Sequence, residues 1–468
     1  MHPSALAKRV YVFIFLIIIA FYLYGLGELP LLGPDEPRYA QVAREMFLSG
    51  DYITPRLGGY TWFEKPSLLY WMIAASFKVF GVSEWSARLG PALCGLLTIV
   101  AIVFVGRAID RGLSSLVVTA TCLGLIVFSR AASFDVVVTM TTTWALACFL
   151  LRELTKRPVY LIGFYAFVGF SLLAKGLVGV VIPFGVIGVY YLLRRAWPER
   201  SVWLSLIWGV PLALAISAVW YGPVIAKHGW TFIDEFFVQH HFARYVSNKY
   251  HHPQPLYFYP AIILMLALPW TPFLVEALVK ARRWAWRGGD SLSIVRVFSL
   301  SWLVFPIVFF SFSGSKLPGY ILPALPAAAL LIADVLRPKK PAVLIAIASA
   351  TVVLVLIALT FFATPYAQRE SVRDLIALGD ARGYANAPVL ALRSDDRSAE
   401  FYAHDRVVYN AHGEVVTFDE ISLSEARARG GKFLVLVPHE YVENYRTWGS
   451  IEVIGDNSRT AILGWTLQ

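Results

Sequence analysis

The stretch Pro66-Ser-Leu-Leu-Tyr70-Trp-Met-Ile-Ala-Ala75-Ser-Phe-Lys78-Val-Phe80 decides how this chain is organised. Whether it crosses a bilayer sets the side on which every later loop lies. A span needs about 20 apolar residues; this stretch is shorter and contains Lys78. Clear apolar runs begin near residues 10, 87, 113, 136, 159, 177, 202, 257, 295, 318 and 341. Short cytoplasmic loops collect Lys and Arg. If 66–80 does not cross, eleven spans remain, and the loops carrying Arg107/Arg111, Arg152/Lys156/Arg157, Arg194/Arg195/Arg200, Lys280/Arg282/Arg283/Arg287 and Arg337/Lys339/Lys340 all fall inside with the N-terminus. If it crosses, those clusters move outside while Lys8 and Arg9 stay in. The charges favour the first arrangement. Residues 66–80 then read as an interfacial or re-entrant helix, with Tyr70 and Trp71 at the headgroup level.

Composition agrees with a polytopic membrane protein. Of 468 residues, 57% are hydrophobic and 15% charged, against about 25% charged in soluble domains. Residues 366–468 hold 11 basic and 15 acidic groups, whereas the 365 before them hold 30 basic and 16 acidic. The basic residues punctuate apolar runs instead of forming one patch. This excludes a soluble enzyme, a disordered chain and a nucleic-acid-binding domain. Cys94, Cys122 and Cys148 all lie inside apolar runs, with neither disulfide nor zinc spacing. Lys8 and Arg9 precede the run 10–23 without a small-residue cleavage site, which reads as a retained first span.

The sequence thus predicts an all-α polytopic membrane domain over 1–365, with about 11 spans plus interfacial helices in the first outer loop. An odd number of spans puts 366–468 outside as a small α/β extracytoplasmic domain. Its strands are expected over 387–393, 432–437 and 460–465, and a short helix over 422–429.

This topology gathers the unusual polar residues on one outer face. Asp35, Glu36 and Arg38 follow the first span, and Glu64 and Lys65 precede the interfacial helix. Asp135 opens a span, Lys175 sits at an outer turn, Asp234, Glu235, His240, His241 and Arg244 occupy the loop 222–255, and Lys316 lies before Tyr320. Each alone is most simply a solvated loop residue or an interfacial anchor. Together, acidic groups and several cations beside the membrane suit an anionic lipid headgroup and an activated acceptor.

The ordered motifs carry a resemblance. Gly33-Pro-Asp-Glu-Pro-Arg-Tyr-Ala40, Phe63-Glu-Lys-Pro66, Arg130…Asp135, Lys175-Gly, His241-Phe-Ala-Arg244-Tyr and Lys316-Leu-Pro-Gly-Tyr-Ile-Leu-Pro323 resemble the protein O-mannosyltransferase/aminoarabinose-transferase (ArnT-like) superfamily, over roughly residues 10 to 340. The family has Glu where this chain has His240. The resemblance implies a GT-C fold and an inverting glycosyltransferase, multi-pass in the cell inner (plasma) membrane with its site in the periplasm. Its donor would be a sugar on polyprenyl (undecaprenyl) phosphate, and its acceptor lipid A, with aminoarabinose as the sugar, or another envelope molecule. By the same resemblance Asp35 is the catalytic carboxylate and Asp135 the second acidic residue. Lys65 and Arg244 grip the lipid phosphate, with Tyr320, Lys316 and Arg38 beside it. Glu64 and His241 are candidates to ligate a divalent metal, though some members of the superfamily need none.

Two readings compete. Within the fold, the acceptor can be a protein or a glycan lipid instead. From another class, a transporter or flippase places its ionisable residues at the bilayer midplane and shows internal repeats; here the acidic residues lie at span ends and no repeat is found. No Gly-rich strand-to-helix loop cradles a diphosphate, so the energy for transfer would arrive in the lipid-linked donor.

Overall fold

The computed structural model describes residues 5–243, 254–336, 341–392, 397–410, 415–417, 421, 428, 430–445 and 451–467; of residues 5–10 and 240–243 it describes the backbone alone. The chain divides into two compact units. The first comprises 1–24, 63–69 and 88–354, and the second 25–62, 70–87 and 355–468. A boundary at residue 365 leaves 25–62 and 70–87 with the membrane segments, whereas by compactness these pieces belong with the carboxy-terminal segment.

The first unit is helical because its sequence is a succession of apolar runs ended by helix-terminating residues. Its helices are α1 (Ala5–Leu23), with α4 (Glu84–Ala108) and α3 (Leu68–Phe80) each shared with the second unit, then α5 (Gly112–Thr121), α6 (Leu123–Ser129), α7 (Phe134–Thr155), α8 (Val159–Lys175), α9 (Val178–Arg194) and α10 (Arg200–Ile233). They are followed by α11 (Phe258–Leu266), α12 (Thr271–Lys280), α13 (Ser291–Ser311), α14 (Leu325–Leu336) and α15 (Pro341–Ala358), whose last turn from Val355 belongs to the second unit. Helix α2 (Asp35–Ser49) belongs to the second unit. Among the described residues six helices are long and apolar enough to cross a membrane, and the pair α5–α6, bent by 59°, makes a seventh candidate. The apolar helices of α8 and α9 have 17 residues each, at the short end of spanning length. All eleven apolar runs seen in the sequence hold a helix or a broken pair of helices, α11 and α12 being such a pair. The chain is an integral membrane protein.

Two ends of this bundle matter for function. Helix α7 packs on α8, α8 on α9 and α10, and α9 on α13. Ser133 caps α7, its hydroxyl accepting from the Asp135 N–H at 3.1 Å, and α8 stops at Gly176, whose φ of +63° suits only glycine well. The start of α7 and the end of α8 therefore share one end of the bundle. At the other end, the buried charges Arg152 and Glu153 pair at 2.5 Å. Arg152 also reaches Glu199 at 2.6 Å, and the Tyr191 hydroxyl donates to Glu153 at 3.0 Å. Mutual satisfaction is what permits two ionised groups at the end of an apolar helix.

Helix α3 has 13 residues, about 20 Å at 1.5 Å per residue, short of a hydrocarbon core about 30 Å thick. Tyr70, expected at the headgroup level, is instead wholly buried, its ring 6.2 Å from that of Tyr39 on α2. Trp71 donates its indole N–H to the Tyr52 carbonyl at 2.8 Å. The chain between the first span and α3 folds back over this helix, so protein takes the place of lipid at that face.

The second unit joins α2, the small hairpin β1 (Arg56–Leu57) and β2 (Tyr60–Thr61), and the carboxy-terminal segment. Three short helices follow α15: α16 (Thr364–Arg369), α17 (Arg373–Gly379) and α18 (Ser398–Tyr402). A four-stranded sheet runs in the order β3-β4-β6-β5, from β3 (Val389–Ala391), β4 (Lys432–Pro438), β5 (Ile451–Asp456) and β6 (Thr460–Thr466). Strands β3 and β4 are parallel and the other pairs antiparallel. Leu390, Phe433, Val435, Leu463 and Trp465 form the core on one face, and α17 packs across β5 and β6. Strands were expected at β3, β4 and β6. Strand β5 is an addition, and its alternation is broken by a register shift between Val453 and Gly455. The helix expected over 422–429 lies outside the described residues apart from Ala428.

Candidate active site

Within the first unit, Asp135 in the opening turn of α7 forms a short charge-assisted hydrogen bond with Lys175 in the last turn of α8. A carboxylate at a helix N-terminus and an ammonium at a C-terminus each lie at the favourable end of their helix dipole. Both side chains are mostly buried, at 18% and 15% exposure, which strengthens their attraction. The Lys175 ammonium also stands 4.7 Å from the centre of the Tyr320 ring, a cation–π contact.

The backbone before Tyr320 makes this cluster possible. A β-carbon at Gly319 would stand 2.0 Å from Asp135 Oδ2 and 2.8 Å from the Phe128 ring. Only glycine leaves room for the carboxylate there. Next to it, the Tyr320 ring lies 5.4 Å from Phe310, and Phe310 in turn packs on the fully buried Tyr259. Gly319 and Tyr259 were not singled out by the sequence; Gly319 was visible only as a letter of the Lys316–Pro323 motif.

The segment 63–69, also in this unit, is fixed by an aromatic anchor. Phe63 is buried against His228 and Phe232, with ring centres 5.0 and 5.2 Å away. These belong to α10, which bends at Gly229 (φ +57°) before a π-helical turn, Asp234–Ala243. Glu64 and Lys65 follow, paired at 2.6 Å and only 11% and 14% exposed. Lys316 is buried and donates to the Gln254 carbonyl at 2.9 Å. Arg130 seals the end of α1, donating to the Tyr24 carbonyl at 2.6 Å and the Phe21 carbonyl at 2.5 Å.

In the second unit, Asp35 and Arg38 stand one turn apart at the start of α2. Arg38 donates to Asp35 at 2.7 Å and to the Pro34 carbonyl at 2.6 Å, with its guanidinium over Trp62. Asp35 is half exposed. Buried Glu36 accepts from the Leu32 N–H at 2.9 Å and so fixes the entry to the helix. The structure thus joins Asp135, Lys175 and Tyr320 in one cluster, Glu64 with Lys65 in a second, and Asp35 with Arg38 in a third. Arg244 and the side chain of His241 lie outside the described residues. Glu64 is paired with Lys65, and among the described residues no group of three His, Cys, Asp or Glu side chains gathers; the expected metal pair of Glu64 and His241 falls partly outside them.

Comparisons place these features among known proteins. The family described as dolichyl-phosphate-mannose-protein mannosyltransferase matches residues 64–221, which hold Glu64, Lys65, Asp135 and Lys175. The chain is 32% identical over 334 residues to an undecaprenyl phosphate-alpha-4-amino-4-deoxy-L-arabinose arabinosyl transferase of Pseudomonas aeruginosa, covering 69% of this chain and 59% of the relative. It is 30% identical over 343 residues to the protein of the same name from Aeromonas salmonicida, covering 69% and 60%. The chain therefore spans about 60% of the length of these curated relatives. The crystal structure of ArnT from Cupriavidus metallidurans bound to undecaprenyl phosphate superposes with a TM-score of 0.78 at 22% identity, over 98% of both chains. The chain is thus similar in sequence to these arabinosyl transferases over about two thirds of its own length, and it shares the fold of ArnT.

Proposed function

We propose that this protein is an inverting glycosyltransferase that moves a sugar from a polyprenyl phosphate to an acceptor on the outer side of the bacterial inner membrane. The observation that carries this reading is the 32% identity with relatives named for such a transfer. In the proposed arrangement eleven spans place 366–468 and the site outside the cytoplasm, α3 lies along the bilayer surface, and 1–365 forms the transferase domain. The sugar is aminoarabinose and the acceptor lipid A. The matching mannosyltransferase family supports a second reading, in which the acceptor is a protein.

The chemistry follows from the leaving group. As the glycosidic bond breaks, negative charge accumulates on phosphate oxygens. Lys65 and Arg244 stabilise it, and an arginine can do so through two parallel hydrogen bonds. Tyr320 donates its hydroxyl to the same phosphate. Lys316 and Arg38 supply further positive charge. Asp35, half exposed at the start of its helix, takes the proton of an incoming hydroxyl from the opposite face of the sugar. With a phosphate acceptor, already anionic, it orients or stabilises the oxocarbenium-like centre of the sugar instead. Asp135 holds Lys175 against the Tyr320 ring and thereby sets the angle of the phenol.

The test is transfer from undecaprenyl-phosphate aminoarabinose in membranes carrying the full chain, with lipid A analysed by mass. Asp35→Asn and Lys65→Ala are expected to lower the rate by about 10²–10³-fold, the usual cost of losing one transition-state donor or a proton acceptor. Near-normal transfer in either variant overturns the assignment of that residue. Lipid A of unchanged mass in the presence of the wild-type protein moves the acceptor to protein.

A further inference from the structure

At the end of the bundle away from Asp135, between α7, α8, α9 and α10, lies a cavity of about 660 Å³. It falls within the range of about 300–1,000 Å³ typical of small-molecule sites. Its walls are almost wholly apolar, from Phe149, Phe164, Phe184 and Ile187 to Val202 and Leu206. Water entering such a space finds too few polar partners, and an empty space of that size forfeits the contacts of all its lining atoms. Gly188 adds a second sign that the space is meant to hold something. A β-carbon there meets nothing within 4 Å, whereas three residues earlier on the same helix a β-carbon at Gly185 would stand 2.0 Å from the Phe305 ring. The helix is tightly packed on one side and leaves a gap on the other.

The mouth of the cavity is polar in one sense only. Arg195 lines it, held in a left-handed conformation (φ +50°) where α9 stops. Trp197, 86% exposed, and Trp203, 51% exposed, stand beside it. Amphipathic tryptophans next to an arginine are the composition of a membrane interface. The helix ends and loops next to this mouth in the sequence carry six basic residues, Arg152, Lys156, Arg157, Arg194, Arg195 and Arg200, against two carboxylates, Glu153 and Glu199. Both acids are already engaged by Arg152 and Lys156, so the net field at the mouth is positive.

We propose that this cavity is a binding site for an anionic phospholipid of the cytoplasmic leaflet, one acyl chain filling the aromatic-lined space and the phosphate resting on Arg195. The site is distinct from the cluster around Asp135: Phe149, its lining residue on α7, lies 14 residues further along that helix, about 21 Å away at 1.5 Å per residue. It stands whether or not the proposed transfer is correct. An arginine–phosphate contact gives selectivity for anionic over zwitterionic headgroups, and the hydrocarbon walls give retention.

The experiment uses the full chain in detergent, titrated with dioleoyl phosphatidylglycerol or dioleoyl phosphatidylcholine and observed as intact complexes by native mass spectrometry. Phosphatidylglycerol is expected to be retained at about tenfold lower concentration than phosphatidylcholine, the effect of one charge-assisted contact. Arg195→Ala, at an exposed position, removes that preference while leaving lipid retention. Gly188→Phe fills the space and removes retention of both lipids, with the unfolding temperature measured alongside to show an intact fold. Equal retention of the two lipids by the wild-type chain, or an undiminished preference in Arg195→Ala, overturns the proposal. So does unchanged retention in a folded Gly188→Phe protein.

Discussion

Arg44, on α2, is bound to Asp405, 361 residues further along the chain. Its Nη2 donates to Asp405 Oδ1 at 3.0 Å and its Nη1 to the Phe401 carbonyl at 2.9 Å, while Gln41 bonds to the same aspartate. Leu31 N–H donates to the Tyr402 hydroxyl at 2.7 Å, and that hydroxyl donates to Glu84. The helix that begins at Asp35 is thus fastened along its length to residues of the carboxy-terminal segment, within one compact unit.

Arg44→Ala is expected to destabilise the protein by about 1–3 kcal/mol, because a nearly buried donor set is lost and the Phe401 carbonyl is left without it. Transfer activity should fall with it, since the entry of α2 loses its support. Arg44→Lys recovers only part of the loss, a point charge being unable to serve both acceptors. Thermal unfolding and membrane transfer assays of the three proteins check this; an unfolding temperature for Arg44→Ala equal to that of the wild type would show the contact to be dispensable.

His404 introduces a pH dependence into the same contact. Its Nδ1 lies 3.3 Å from Arg44 Nη1, so the neutral ring accepts while a protonated one repels. Partial burial, then the charges of Arg44 and Arg406, hold its pKa below the usual histidine value. The folded state therefore binds this proton less readily than the unfolded state. Its contribution to stability is complete above about pH 6.5 and lost as pH falls below it. Unfolding temperatures measured from pH 8 to pH 5 are expected to drop more steeply for the wild type than for His404→Gln. Parallel curves would remove His404 from the account.

Gly319→Ala is expected to cut transfer by about 10²-fold, because its methyl group displaces the Asp135 carboxylate and a shift of about 1 Å at a reacting site has that effect. Gly289→Ala serves as the comparison, since a β-carbon there meets nothing within 4 Å. The two alanine variants having equal activity would disprove the close approach at Gly319.

The Asp135–Lys175 pair predicts non-additive behaviour. Removing one partner of a mostly buried ion pair strands the other, at about 3 kcal/mol, whereas removing both leaves no orphaned charge. Asp135→Asn and Lys175→Met are each expected to lower the unfolding temperature more than the double variant does. Additive losses in the double variant would show that the pair is not coupled.

Much of the fold was legible in the sequence, because hydropathy and loop charge are local signals. Every apolar run became a helix or a broken pair, and three of the four strands of the carboxy-terminal sheet lie where alternation of apolar residues places them. Strand β5 escaped because the shift between Val453 and Gly455 breaks its alternation. Tyr70 was misplaced for a different reason: an aromatic at the end of an apolar helix reads the same facing lipid or facing Tyr39. Of the candidate site, the motifs supplied residue types and order, and nothing more.

By itself the sequence determined that this is a helical membrane protein, about where its apolar helices begin, and which polar residues are out of place in it. Tertiary structure alone decided that Asp135 meets Lys175, 40 residues away, that Gly319 makes room for that carboxylate, and that residues 25–62 and 70–87 join the carboxy-terminal segment in one compact body. The physical reason is range. Helix propensity and hydropathy are summed over a dozen neighbouring residues, whereas an ion pair or a close backbone approach depends on which distant surfaces are buried against each other.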